Sequence, residues 1–183
     1  MNNINWFPGH IAKAINELKT KLSLIDVVVE LKDARIPLSS SYIELDKIIG
    51  SKPRLVILNK ADLADIFMVK KFVEYFRNNL DTNVLTTSSH NHSDVKTIID
   101  AILNLAKPHI DKLIARGLNP RSARVMVIGM PNVGKSSFIN KLVKKAKTKI
   151  GAKAGVTRQL SWVRINPKID LLDTPGIIPI KLE

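Results

Sequence analysis

At 183 residues, 45% of them hydrophobic, the chain is long enough to bury a proper core as roughly one domain. It contains no cysteine, which excludes disulfides, cysteine-built zinc clusters and thiol catalysis. No apolar run approaches the roughly 20 residues that span a bilayer, and the N-terminus does not read as a secretory signal, so a cytoplasmic protein with no membrane partner is expected. Lys and Arg number 29 against 16 Asp and Glu, for a formal charge of +13 and a pI near 10.0. That excess points to a polyanionic partner, most simply nucleic acid, ahead of a merely solvated lysine-rich surface.

In chain order, the first element is an amphipathic helix starting near Pro8 and Gly9, with Ile11, Ile15, Leu18 and Leu22 on one face that should pack on a sheet. Short apolar, β-branched runs at 25–31, 55–58, 84–86, 125–128 and 169–172 read as buried strands. Between them, residues 64–77, 95–114 and 135–145 have helical spacing, and Pro108 is expected to kink or split the second. This βαβ alternation predicts an α/β fold with a mostly parallel, doubly wound sheet. The seam at 112–124, with Gly117 and Pro120, joins two halves of one domain, so that residues 1–22 form the N-terminal helix, 23–115 one half and 123–183 the other.

Two of the junctions carry chemistry. Gly129-Met130-Pro131-Asn132-Val133-Gly134-Lys135-Ser136 follows a strand and opens a helix, the context in which a phosphate loop works. Backbone N–H groups of Asn132, Val133, Gly134, Lys135, Ser136 and Ser137 would wrap the phosphates at a helix N-terminus. Lys135 would reach the β- and γ-phosphates, and Ser136 offers a hydroxyl to Mg²⁺. Asn59-Lys60-Ala61-Asp62 follows the strand at 55–58 and names the base. The Asp62 carboxylate can accept both the N1–H and the exocyclic amino group of guanine, a pairing adenine does not offer. Lys60 would lie along the purine face, and Asn59 would tie this loop to the phosphate loop. Thr87-Ser88-Ser89, after the strand at 84–86, occupies the place of the loop whose backbone N–H meets the guanine oxygen, although an alanine usually follows the serine there. An ordinary GTPase places the phosphate loop before the base-reading motif. This chain has them in the opposite order and reads as circularly permuted.

The remaining parts follow the phosphate loop. Thr157, in the basic segment 151–159, is placed to give a second hydroxyl to Mg²⁺ as a γ-phosphate switch. Asp173-Thr174-Pro175-Gly176 ends the last strand; Asp173 would hold Mg²⁺ through water, and the Gly176 N–H would meet the γ-phosphate.

These motifs, with Asn5-Trp6-Phe7-Pro8-Gly9-His10-Ile11-Ala12-Lys13-Ala14 and Asp33-Ala34-Arg35-Ile36-Pro37, resemble the RbgA (YlqF) family of circularly permuted GTPases over nearly the whole chain. The resemblance implies a late-acting assembly factor that binds the precursor of the large ribosomal subunit, and its rRNA, with GTP and leaves as GDP is formed. A monomer is favoured. Family members usually continue into a helical C-terminal domain, which is taken as absent from a chain that stops at Glu183.

Hydrolysis needs a group that orients water. Ile177 and Ile178 occupy the place where many GTPases carry a glutamine, and neither can hydrogen-bond a water. His10, at the start of the first helix, is the candidate: the helix N-terminus favours a neutral imidazole, which can orient a water or take its proton. The resemblance points to the same histidine; helix capping or an RNA contact is the alternative. His90, His92 and His109 read as surface residues. Asn132 resembles the asparagine that helps to coordinate K⁺ in potassium-dependent GTPases. Asp33 reads equally as a turn former, and the lysine-rich segment 141–153 as an rRNA contact or a solvated face. Two rival readings remain: a non-hydrolysing, nucleotide-dependent RNA-binding module, and a P-loop ATPase or small-molecule kinase, which the Asn-Lys-x-Asp motif disfavours.

Overall fold

Val27, Val28, Val29 and Leu31 are wholly buried, and a run apolar on both faces is what a parallel strand covered by helices requires. The structure, a computed structural model, describes residues 16–41, 45–88, 93–147 and 162–172, and only the backbone of 145–147. The elements run α1 (residues 16–22), β1 (Val27–Asp33), α2 (Leu45–Ile49), β2 (Arg54–Asn59), a 3₁₀ turn (Ala61–Leu63), α3 (Ile66–Leu80), β3 (Asn83–Thr86), α4 (Asp94–Ala115), β4 (Ala123–Ile128), α5 (Lys135–Lys147), β5 (Trp162–Asn166) and β6 (Ile169–Leu172).

The six strands form one sheet in the order β3-β2-β1-β4-β6-β5. All neighbours are parallel except β5 and β6. The chain winds outward from β1 to β3, then returns to lay β4 beside β1. The β1–β4 boundary is therefore a topological switch point, where an open α/β sheet leaves a crevice at the carboxyl ends of its strands.

Period-two alternation decides which helix covers which face. Val27, Val29, Leu31, Leu55, Ile57, Val125 and Val127 pack with Ile98, Ile102 and Ala106 of α4 and with Phe138 and Leu142 of α5. On the opposite face, Val28, Met126 and Ile128 meet Leu18, Leu22, Leu45 and Ile49, while Val56, Leu58 and Val84 meet Val69 and Phe76 of α3. Each such aliphatic side chain contributes roughly 1.5–3 kcal/mol by leaving water. The expected docking of the first helix thus holds for Leu18 and Leu22; Ile11 and Ile15 lie outside the described residues.

Local chemistry sets the ends. Asp65 caps α3 by accepting from the N–H groups of Phe67 and Met68, both at 2.9 Å. At the end of α4, Gly117 adopts φ 84° while its N–H reaches Ile114 O and that of Leu118 reaches Leu113 O, a Schellman closure. The seam is pinned by Asp26, which accepts from Arg121 at 2.7 and 2.9 Å and from the Arg124 N–H at 2.8 Å. Burial works to raise the Asp26 carboxyl, but these bonds outweigh it and hold the pKa below its usual value.

Four expectations are corrected. Of the two outcomes expected at Pro108, splitting is ruled out: α4 runs unbroken from Asp94 to Ala115, with Ala106 and Ile110 in the core on either side of the exposed proline. Strand β1 starts two residues late and runs on through Lys32 and Asp33, whose charges are paired inside the fold. Lys32, 2% exposed, donates to Glu30 and, at 2.7 Å, to Ser41 Oγ. The antiparallel edge strand β5 and the short α2 were not anticipated. Finally, Lys141 is neither an RNA contact nor solvated: it is buried, at 5% exposure.

Candidate functional site

Four strand ends meet at the carboxyl edge of the sheet beside the switch point. They carry Asp33 to Arg35 after β1, Asn59 to Asp62 after β2, Thr87 and Ser88 after β3, and Gly129 to Lys135 after β4. The sequence motifs quoted for nucleotide binding within the described residues are thus brought to one place by the parallel register.

The phosphate loop is shaped by close approach. A Cβ on Gly129 would sit 2.5 Å from Leu31 O, so only glycine lets β4 leave the sheet so near β1. Asn132 and Gly134 adopt φ values of 64° and 96°, left-handed turns of the kind that build anion-binding concavities. Helix α5 opens directly behind them, with Ser136 and Ser137 exposed in its first turn and its N-terminal dipole favouring negative charge. Lys135 Nζ donates to Gly129 O at 2.7 Å and Met130 O at 3.0 Å across the loop. Burial lowers its pKa.

Asn59 and Lys60 bind the base loop to the phosphate loop. Asn59, 3% exposed, donates from Nδ2 to Val133 O at 2.8 Å. A Cβ on Gly134 would meet that same nitrogen at 2.5 Å. Lys60, in a left-handed conformation at φ 59°, donates from Nζ to Asn132 O at 2.7 Å and to Asp33 Oδ2 at 2.8 Å. Asp33 accepts three further bonds from Arg35, through its backbone N–H at 3.0 Å, Nε at 2.9 Å and Nη2 at 2.8 Å. Those Arg35 bonds hold the Asp33 carboxyl well below the usual carboxylate range; burial opposes the shift, and the Lys60 bond adds to it. Asp33 is therefore more than a turn former. Beyond Lys60 the 3₁₀ turn leaves the Asp62 side chain exposed at the rim.

The loop after β3 is joined to the same frame. Ala61 N–H donates to Thr87 O at 3.1 Å, and Thr87 N–H to Leu58 O at 2.9 Å. Lys141 of α5 donates to Thr87 Oγ1 at 2.6 Å and Ser88 O at 2.7 Å, and pairs with Asp94 at the start of α4. Both Lys141 and Asp94 were missed in the sequence. The signal was there: Lys141 lies three residues after Phe138 and next to Leu142, on the apolar stripe of α5.

His10, Thr157, Asp173 and Gly176 lie outside the described residues. Among the described residues no cluster of three or more His, Cys, Asp or Glu could hold a metal, and no helix is long and apolar enough to cross a membrane. His109 is exposed, with Nε2 at 3.5 Å from Asp26 Oδ1 at the seam.

A sequence-family model described as a 50S ribosome-binding GTPase matches residues 124–183. The chain is 46% identical over 180 residues to ribosome biogenesis GTPase A of Bacillus cereus, covering 98% of this chain and 60% of that protein. It is 38% identical to mitochondrial ribosome-associated GTPase 1 of Xenopus tropicalis, over 98% of this chain and 59% of that one. The GDP-bound structure of TM YlqF superposes with a TM-score of 0.61 at 32% identity, over 90% of this chain and 59% of that one. The chain spans about three fifths of the length of these relatives. In sequence along nearly its whole length, and in the sheet that carries its motifs, the chain is similar to the RbgA/YlqF circularly permuted GTPases, and its fold is that of a P-loop GTPase domain.

Proposed function

We propose that this chain binds GTP and GDP at the carboxyl edge of the β1–β4 switch point and hydrolyses GTP in the assembly of the large ribosomal subunit. The observation that carries the reading is the direct bonding of the base loop to the phosphate loop by Asn59 and Lys60, which fixes the span between a guanine and its phosphates. The two halves, 23–115 and 123–183, act as one domain, as a monomer in the cytoplasm. The charge of +13 suits an RNA-rich partner such as the rRNA of a pre-ribosomal particle.

In this reading Asp62 accepts from the guanine N1–H and amino group, Lys60 lies along the purine face, and the backbone at Ser88 meets the guanine oxygen. Backbone N–H groups of residues 132–137 hold the phosphates, and Lys135 exchanges its two carbonyl partners for phosphate oxygens. The hydroxyl of Ser136, exposed at the helix start, suits a hard oxygen-seeking cation; with Thr157 and Asp173 it would hold Mg²⁺, which neutralises charge on the phosphate oxygens when bound. Asn132 would contribute to a K⁺ site in the same way, so equal turnover in sodium and potassium sinks that part. The Gly176 N–H meets the γ-phosphate. His10 orients the attacking water or takes its proton.

The test is GTP turnover in potassium buffer with and without purified large ribosomal subunits. Stimulation by the subunits supports the reading. Intact GTP binding with no turnover in either condition favours a nucleotide-dependent RNA-binding module, for which the isoleucines at 177 and 178 speak.

A further inference from the structure

Lys141 occupies a position that a phosphate-binding helix does not itself require. It stands almost two turns into α5, buried at 5% exposure, and its ammonium is spent entirely on the loop after β3 and on the helix that follows it. Its partners are Thr87 Oγ1, Ser88 O and Asp94, whose carboxylate also receives the Thr87 hydroxyl. Thr87 is in turn locked on the other side, its carbonyl accepting from Ala61 N–H of the base loop. One cation thus fixes the Thr87–Ser88 backbone against both the helix behind the phosphates and the turn that carries Asp62. A buried charge retained at the cost of desolvation must be matched by well-placed partners, and these partners all belong to one loop junction. Hydrophobic packing at that spot would serve stability equally well; it would not aim a backbone amide.

We propose that Lys141 is a positioning residue for guanine recognition, holding the Thr87–Ser88 loop at the height where its backbone donates to the base oxygen. This deepens the guanine-nucleotide reading above and rests on it. The base oxygen gives a discriminating readout. GDP and inosine diphosphate both carry it; 2-aminopurine riboside diphosphate does not, although its phosphates and amino group are those of GDP.

The experiment measures the affinity of all three nucleotides for the whole chain, for Lys141→Met, and for the double variant Lys141→Met/Asp94→Asn, which removes both buried charges together. Both variants should bind GDP and inosine diphosphate about tenfold more weakly, the worth of one hydrogen bond. 2-Aminopurine riboside diphosphate should bind each of them as it binds the unaltered chain. Equal weakening of all three nucleotides would overturn the proposal, since it reports a general loosening of the fold. Full recovery of GDP affinity in the double variant would overturn it too, because Lys141 would then only neutralise Asp94. Failure of the unaltered chain to prefer GDP would instead refute the guanine-nucleotide reading itself.

Discussion

Replacing Gly134 by alanine tests the junction between the two loops, and its cost can be worked from two separate parts. The backbone there has φ 96°, and forcing an L side chain into left-handed conformation costs roughly 1–2 kcal/mol. The new Cβ would stand 2.5 Å from Asn59 Nδ2, inside any tolerable contact, so the Asn59 side chain must leave. Its buried bond to Val133 O is then lost with both groups left without a partner, at about 1–3 kcal/mol. Together Gly134→Ala should cost about 2–5 kcal/mol, a large share of a domain's typical 5–15 kcal/mol. Urea unfolding without nucleotide measures it, in the unaltered chain and in an Asn59→Ala background. With the amide already gone the clash disappears, and the same glycine replacement should cost only the backbone strain, about 1–2 kcal/mol. An equal cost in both backgrounds would refute the argument, because the penalty would then owe nothing to Asn59.

Three further outcomes follow from the same geometry. Asp33→Asn should remove the charged one of the two anchors of Lys60, leaving the Asn132 carbonyl, and weaken GDP binding about tenfold in equilibrium titration, the worth of a charge-assisted hydrogen bond. The Asp33 carboxyl is held below its unfolded value, so its contribution to stability is complete above about pH 4 and is lost as the pH falls further. Urea midpoints for the unaltered chain and Asp33→Asn should therefore differ at about pH 7 and converge toward strongly acid pH; a constant difference would contradict the shift. Lys32→Met leaves the buried Glu30 facing only Arg54, 3.4 Å away, and should cost about 3–5 kcal/mol in the same assay. The double replacement Lys32→Met/Glu30→Leu should recover most of that loss.

The sequence carried the strands well because a covered parallel sheet demands uninterrupted apolar, β-branched runs, and 55–58 and 125–128 have no other comfortable place. The close approach of the two motif loops was legible for a different reason: glycine at 129 and 134 and asparagine at 59 are fixed by backbone approach, which leaves few substitutes. What stayed hidden was charge inside the fold. Glu30 and Lys32 pair with each other on one face of β1, Arg54 comes to Glu30 from β2, and Lys141 meets Asp94 of α4; a reading that looks for apolar runs has no place for charges paired inside them. The edge strand β5 was missed because its half-exposed residues give a weaker alternation than a buried strand. Pro108 does not divide its helix because a proline on the exposed side of a long helix removes one hydrogen bond without removing the packing around it.

The most direct test of the central claim, that the loop after β2 reads guanine while the later loop after β4 holds its phosphates, is a single substitution at the rim. Asp62→Asn exchanges an acceptor for a donor at the base edge and leaves the buried frame of Asn59, Lys60 and Val133 untouched. Competition titration with GDP and xanthosine diphosphate should show loss of the preference for GDP and gain of binding to the xanthine nucleotide. Unchanged preference for GDP would mean that Asp62 does not meet the base, and the permuted nucleotide site would have to be abandoned.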